Sequence, residues 1–424
     1  MPRAILSSWP LFFGLAMIMI GNGLQGTLLG VRATLEDFGT TTIGLVMSLY
    51  FVGFLVGSWY VPRLVEGVGH IRVFAALASL ASTTVLLHGI FLSPWVWGAV
   101  RIVTGFSYAG LFIVIESWLN NEATNKTRGK IMALYLITLY LGMTIGQFLL
   151  NLASPADIQL FILTSVLVSL ALLPISLSRR PAPVFIQPET VPLKKLYATS
   201  PLGLAGVFGT GLTNSTIMTI GAVYAAKIGF GLGEISFFMA SFILGGVIFQ
   251  WPIGWLSDRF DRRKVLIGAS ALSCLLATGC FFISGSESLS SLLPLAMLCF
   301  GGTALSLYGL SVAHTNDHLL PEQILSVSST LLLINGFAAC IGPFLVSALM
   351  GGIGVFVFFP SVAIIYGMIA VFGLYRMSIS QPVPLEEQGD FVALPVRHSP
   401  IAMMIAEDST ETLKEMDKKA GNSS

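Results

Sequence analysis

The sequence predicts an all-α, polytopic membrane protein: twelve transmembrane helices in two pseudo-symmetric six-helix bundles. Three observations predict it. Twelve apolar stretches, each about 20 residues long and so long enough to cross the hydrocarbon core as a helix, run through the chain. The positive charge lies almost entirely in alternate loops. The second half of the sequence repeats the first. Composition agrees, because 54% of the 424 residues are hydrophobic and 10% are charged. A water-soluble domain of this length carries far more charge. The 44 glycines suit helices that pack closely in lipid.

The spans read from the sequence are 9–30, 41–62, 73–92, 95–119, 130–152, 157–178, 201–226, 234–256, 265–284, 291–314, 323–350 and 354–376. The first is too long for a signal-peptide core and lacks a small-residue cleavage site, so it reads as an uncleaved span. An even number of spans puts both termini on one side. Apart from Arg32, Arg101 and Lys227, every Lys and Arg falls in the terminal segments or the loops on that same side. The positive-inside rule makes that side the cytoplasm. The expected organisation is an N-terminal bundle (1–178), a proline-rich cytoplasmic linker with basic ends (179–200), a C-terminal bundle (201–376) and a polar tail (377–424) expected to be largely disordered, with residues 401–419 a candidate interfacial helix.

Laying the second half over the first puts Asn22 on Asn214, Phe38-Gly39 on Phe230-Gly231, Met47 on Met239 and Gly53 on Gly245. With a small change of register, Gly105 falls on Gly301 and Gly146 on Gly342. Both halves start on the same side, so they are parallel repeats about an axis along the membrane normal. Two such bundles can rock about a cavity at mid-membrane.

The motif richest in mechanism follows the eighth span: Gly254, Asp258, Arg259, Asp261, Arg262, Arg263 and Lys264. Gly254 lets helix ends meet closely. Asp258 can accept hydrogen bonds from the start of a neighbouring helix, where the dipole favours an anion. The arginines hold that carboxylate and anchor the loop at the surface. The spacing resembles the GxxxDRxGRR signature of the major facilitator superfamily, with Asp261 where that family usually has glycine. In the family this loop latches the cytoplasmic side of the outward-facing state. The repeat-equivalent loop, Pro62 to Arg72, is a degenerate copy in which Glu66 stands for Asp258 and Arg72 for Lys264.

Arg101, Gly105, Tyr108, Phe112 and Glu116 lie on one face of the fourth span, and Arg101 to Ala109 resembles the family's fourth-helix motif. An arginine within a span is costly and marks function by default. Arg101 and Glu116 stand about 22 Å apart along the axis and cannot pair. The alternative roles are structural: an ion pair of Arg101 with Glu36 or Asp37, and one of Glu116 with the basic loop at Arg63 and Arg72. Asn22 and Gln25 stand one turn apart on the glycine-rich first span. Asn214 stands at the repeat-equivalent place, one turn after Thr210. Tyr140, Thr144, Gln147 and Asn151 form a polar stripe on the fifth span. Such residues face a wetted cavity or bond helix to helix.

The string Glu116-Ser-Trp-Leu-Asn120, with Gly69 to Phe74 and His314-Thr-Asn-Asp317, resembles the YcaD-like group of bacterial major facilitator proteins. That resemblance implies a secondary transporter of the bacterial inner membrane. It implies a small organic solute moved by alternating access, with helices 1, 4, 7 and 10 lining the cavity and helices 2, 5, 8 and 11 contributing to it. Asn22, Gln25, Arg101, Tyr108, Gln147 and Asn214 are then the substrate or cavity candidates. Proton coupling is the family's common choice, and Glu36, Asp37 and Glu116 are the carboxylates available for it. Gln147 stands where antiporters place a Gly-Pro motif, which argues against drug/proton exchange. His88 and His314 read as interfacial.

No phosphate-binding GxxxxGK[ST] loop, Ser/His/Asp set or Cys/His metal cluster is present in the sequence. The expectation is therefore no enzyme, no cofactor, no metal and no nucleic acid. The expected partners are lipid, a small solute and protons, with the chain a monomer. A competing reading is a membrane sensor or assembly factor that keeps the fold without transport.

Overall fold

The computed structural model describes residues 8–123, 127–177, 191–286, 288–389, 391 and 393–394. Its twelve long helices are α1 (Trp9–Leu35), α2 (Thr40–Val68), α3 (His70–Ile90), α4 (Pro94–Glu122), α5 (Arg128–Leu149), α6 (Gln159–Ser176), α7 (Pro201–Lys227), α8 (Leu232–Arg259), α9 (Arg262–Ser284), α10 (Leu293–Asn316), α11 (Pro321–Gly352) and α12 (Phe358–Ile379). Prolines sit in the first turn of α1, α4, α7, α10 and α11, where a missing N–H costs nothing. Two further starts are capped by side chains. Glu234 accepts from the Gly231 N–H at 2.8 Å before α8, and Asp261 accepts from the Arg263 N–H at 3.0 Å before α9.

Eleven of these helices are long and apolar enough to span a membrane. The other, α7, has the length at 27 residues but carries Thr210, Thr213, Asn214, Ser215, Thr216 and Thr219. All six are buried, so their polar groups face protein instead of lipid. The linker expected at 179–200 contains a short helix, Leu193–Thr199, and Val191 ahead of it donates its N–H to Thr330 at 2.9 Å. The candidate interfacial helix at 401–419 lies outside the described residues.

The repeat read from the sequence reappears as packing. Within the N-terminal bundle α2 packs on α4, α1 on α5 and α6, and α3 on α4 and α6; the C-terminal bundle repeats each pairing. The matched glycines mark the crossings. A Cβ on Gly53 would lie 1.9 Å from the Ile102 carbonyl oxygen, and one on Gly245 would lie 2.0 Å from that of Leu298. Gly105 and Gly301 meet the carbonyls of Tyr50 and Phe242 at 1.9 and 2.0 Å. Gly146 and Gly342 meet those of Ile20 and Leu212 at 2.3 and 2.1 Å. These contacts are backbone to backbone, so no side chain can move aside. Gly105→Leu and Gly301→Leu should each destabilise their bundle by at least the roughly 1–3 kcal/mol of an overpacked core. Thermal unfolding in detergent checks this, with Gly268→Leu, which has open space around it, as the tolerant control.

The two bundles meet along α2/α11, α5/α8 and α1/α7. The contacts that fix these seams cluster toward the membrane face opposite the termini. There Thr41 packs on Gly351, and the Phe344 N–H donates to the Ser48 hydroxyl at 3.0 Å. Asn151 donates to the Ser236 hydroxyl at 2.9 Å, and Phe148 and Phe237 stack edge-on at 5.1 Å. Gly30 lies against Ala222 and Val223.

Candidate functional site: a polar chamber between the bundles and a latch at the terminal face

A small polar chamber lies where α1, α2, α4, α5 and α7 converge. It is lined by Asn22, Gln25, Thr27, Tyr50, Arg101 and Gln147, with Met218 and Thr219 from the other bundle closing it. Four of the six cavity candidates from the sequence come together here. Local chemistry explains the convergence. Gly23 lets the α5 backbone approach so closely that a Cβ there would lie 2.3 Å from the Met143 carbonyl oxygen. Gln147 then spans the gap: its Nε2 donates to the Gly23 carbonyl at 2.9 Å and its Oε1 accepts from the Thr27 hydroxyl. Gln147 thus both lines the chamber and bonds α5 to α1, so the two roles weighed for it coexist.

Arg101 is 4% exposed, and its guanidinium carbon stands 4.5 Å above the Tyr50 ring. That stacking holds the cation over a π face at low dielectric. The Gln25 Nε2 has no hydrogen-bond partner among the described residues and is fully shielded from solvent. A buried donor without a partner is costly. Here it adjoins the chamber. The volume is only about 20 Å³, room for a water. As it stands, the chamber is too small to hold an organic solute.

Two candidates lie elsewhere. Tyr108 is buried behind Tyr50, ring centroids 6.2 Å apart, and does not line the chamber. Asn214 accepts from the Tyr366 hydroxyl at 3.3 Å, and Thr213 donates to that same hydroxyl at 2.8 Å. It bonds α7 to α12 inside the C-terminal bundle, unlike its repeat mate Asn22. Sequence reading missed Tyr50, Thr27 and Thr219. Tyr50 carried one signal, a polar-tipped aromatic three residues before the glycine of the α2/α4 crossing.

The coupling candidates are placed differently from expectation. Glu36 pairs with Arg32, one turn earlier, at 2.8 Å, and Arg32 also donates to the Pro155 carbonyl at 3.1 Å. Glu36 is thereby taken by its own helix, and the ion pair with Arg101 weighed above does not form. Asp37 has φ +55°, a left-handed turn residue that ends α1. Glu116 is fully buried and accepts from the Tyr135 hydroxyl on α5, while Arg63 lies 4.2 Å over the Trp59 ring. His88 and His314 stand in the last turns of α3 and α10 and are buried against protein, at 0% and 5% exposure. His88 donates its Nδ1–H to the Thr84 carbonyl at 2.7 Å and packs edge-on to Trp97.

At the terminal face the Gly254–Lys264 motif forms a network. Arg262 is its hub. It reaches Asp317 at 2.6 Å, Asp258 at 3.2 Å, the Ser257 hydroxyl at 2.9 Å and the Ala313 carbonyl at 3.2 Å. Arg263 holds Asp261 at 2.9 Å and donates to the Ser380 carbonyl at 2.7 Å. Partial burial alone would raise the Asp261 carboxyl; the hydrogen bonds from Arg263 outweigh it and hold the group below the usual carboxylate range. Burial pushes the Asp317 carboxyl up, against the pull of Arg262 and of the Gly389 N–H. Arg259 stays outside the network, 4.1 Å over the Trp255 ring. Glu66 and Arg72, the degenerate copy, are exposed and make no hydrogen bond or ion pair among the described residues.

Several of the described tail residues reach this face. Gly389, Phe391 and Leu394 pack on this network, with Leu394 3% exposed. Phe391 to Leu394 form a short apolar run in the tail that can pack on this face.

Two parallel six-helix bundles meeting around a buried polar chamber define a polytopic membrane transporter. Residues 11–201 and 203–406 match the Major Facilitator Superfamily, each match covering about one bundle. The chain belongs to that superfamily and is a secondary transporter. It is 25% identical over 382 residues to the MFS-type transporter Ent638_1421 of Enterobacter sp. (strain 638), covering 88% of this chain and 97% of that one. It is 26% identical over 369 residues to the MFS-type transporter YcaD of Escherichia fergusonii, covering 84% and 93%. Among solved structures, the nucleoside transporter NupG superposes with TM-score 0.71 at 15% identity, covering 90% of this chain and 100% of that one. A bacterial homologue of the lysosomal transporter Spinster superposes with TM-score 0.68 at 14% identity, covering 89% and 97%. These relatives and the apolar helices point to a multi-pass protein of the bacterial inner membrane.

Proposed function

We propose that this chain carries a small organic solute bearing an anionic or hydrogen-bond-accepting group, by alternating access, with both termini in the cytoplasm. The observation that carries the reading is the chamber at the seam of the bundles. It offers a stacked arginine, the unpartnered Gln25 Nε2 and the amide of Asn22 within one shell. All are groups that recognise a carboxylate or a row of acceptors. The Met218 and Thr219 lid belongs to the opposite bundle, so rocking the bundles apart would open the chamber. A thermal-shift screen of the purified monomer against panels of organic acids, neutral metabolites and cations tests it. Stabilisation by an anionic or acceptor-rich solute is expected. Stabilisation by cations alone would overturn the assignment.

Proton coupling in this reading falls to Glu116. It is a fully buried carboxylate inside a membrane-spanning helix, and it lies on the same helix as Arg101. A buried carboxylate hydrogen-bonded to a phenol can change protonation as its surroundings open. Glu116→Gln should abolish uptake driven by a pH gradient in proteoliposomes while leaving solute counterflow. Gradient-driven uptake at the wild-type rate would remove Glu116 from the coupling path.

A further inference from the structure

The C-terminal bundle carries a docking groove at its terminal face, and the occupant is a segment of the chain's own tail. Five contacts seat it. The Phe391 N–H donates to Asp258 at 2.7 Å, and the Gly389 N–H donates to Asp317 at 3.1 Å. The Gly389 carbonyl accepts from Arg262 at 2.5 Å, and the Leu394 carbonyl accepts from Gln250 at 3.1 Å. The Phe391 ring lies on Gly254, where a Cβ would stand 2.3 Å from it. Backbone groups of Gly389 and Phe391 thus bond Arg262 and Asp258, and the Phe391 ring covers Gly254, all residues that the sequence marks as the latch. Asp258 is the carboxylate suited to accepting N–H groups from a helix start on the facing bundle. Here the tail supplies such an N–H.

We propose that tail residues 389–394 are a tethered competitor for the latch. Docked, they hold the terminal-face end of the C-terminal bundle away from the N-terminal bundle; released, they free Asp258 and Gly254 to receive it. The proposal rests on the alternating-access reading. It fits the seams described above, which join the bundles toward the opposite face. Tethering close behind α12, which ends at Ile379, keeps the segment at high effective concentration, so individually modest bonds suffice. The bonds are to backbone groups, so the side chains that matter are those of Phe391 and Leu394.

The test is a distance distribution between spin labels across the terminal face. Labels go on Asn121→Cys and Lys264→Cys, both exposed, with Cys274, Cys280, Cys299 and Cys340 replaced by alanine. Two variants are compared with the full chain in lipid nanodiscs: one ending at Gln388, and a full-length chain with Phe391→Asp and Leu394→Asp. Both should show a severalfold rise in the short-distance population. A synthetic peptide of residues 386–396 should reverse the rise in the truncated chain. If both variants keep the full-length distribution, or both lose their cooperative thermal transition, the segment is a structural cap and the proposal is overturned. A further chain, with Phe237→Asp to weaken the opposite-face seam, separates the two claims. If no chain, this one included, ever populates a short distance, alternating access itself fails; if only the tail variants stay unchanged, the tail proposal alone fails.

Discussion

Replacing Arg101 with alanine should weaken binding of the transported solute by about 1.5–3 kcal/mol, the worth of a hydrogen bond to a charged group, or roughly ten- to a hundredfold in Kd. The argument is positional. Among the described residues Arg101 is the only cation lining the chamber, it is 4% exposed, and the Tyr50 face fixes its guanidinium. Arg101→Lys keeps the charge but loses the planar stack and the paired donors, so it should fall between wild type and alanine. Tyr50→Leu should weaken binding less than Arg101→Ala, because it frees the guanidinium without removing it. Titration of each variant with the solute found by thermal shift measures the series. Wild-type affinity in Arg101→Ala would take the arginine out of recognition.

Removing the Asp317 carboxylate should have the largest effect on stability. Arg262 and Asp317 are each 2% exposed at the side chain and 2.6 Å apart. Deleting Asp317 leaves Arg262 buried with only the partly exposed Asp258, 3.2 Å away, as its carboxylate, so the loss is a large part of the about 3–5 kcal/mol that breaking a buried pair costs. Asp317→Ala should therefore lower the unfolding midpoint of the C-terminal bundle sharply. Arg262→Met combined with Asp317→Leu should recover much of the loss, since it removes both charges together. Denaturant unfolding of the two single variants and the double variant closes the cycle. Additive losses would mean that the pair is not coupled.

The architecture was legible because it rests on periodic, local features. Long apolar runs, alternate basic loops and the glycine pairs Gly53/Gly245, Gly105/Gly301 and Gly146/Gly342 can be read along the chain. The structure puts each matched pair at an equivalent crossing. The chamber was half legible. Polar residues on glycine-rich helices flagged Asn22, Gln25, Arg101 and Gln147, since polar groups at membrane depth need partners. What the sequence could not say is which partner each group finds. Asn22 and Asn214 are equivalent in register, yet Tyr366 claims only the second. Glu36 was weighed only as a partner for Arg101, whereas the i, i+4 spacing from Arg32 on α1 decided the pairing. The docking of Phe391 on Gly254 links residues far apart in the chain, and a short apolar run gives no address. In the sequence α7 reads as one of the twelve apolar stretches; its run of polar residues makes sense only once it is seen surrounded by other helices.

The central claim is that the bundles move about the chamber, which must then open to each membrane face in turn. A disulfide across the opposite-face seam tests this without needing a substrate. Asn151→Cys and Ser236→Cys replace side chains now 2.9 Å apart. A third cysteine, Gln25→Cys, reports the chamber through a membrane-impermeant thiol reagent added from that face. The native cysteines are again replaced by alanine. The account predicts that Gln25→Cys is labelled while the pair is reduced, is protected once the pair is oxidised, and is labelled again on reduction. Equal labelling in the oxidised and reduced protein, or none in either, would contradict it.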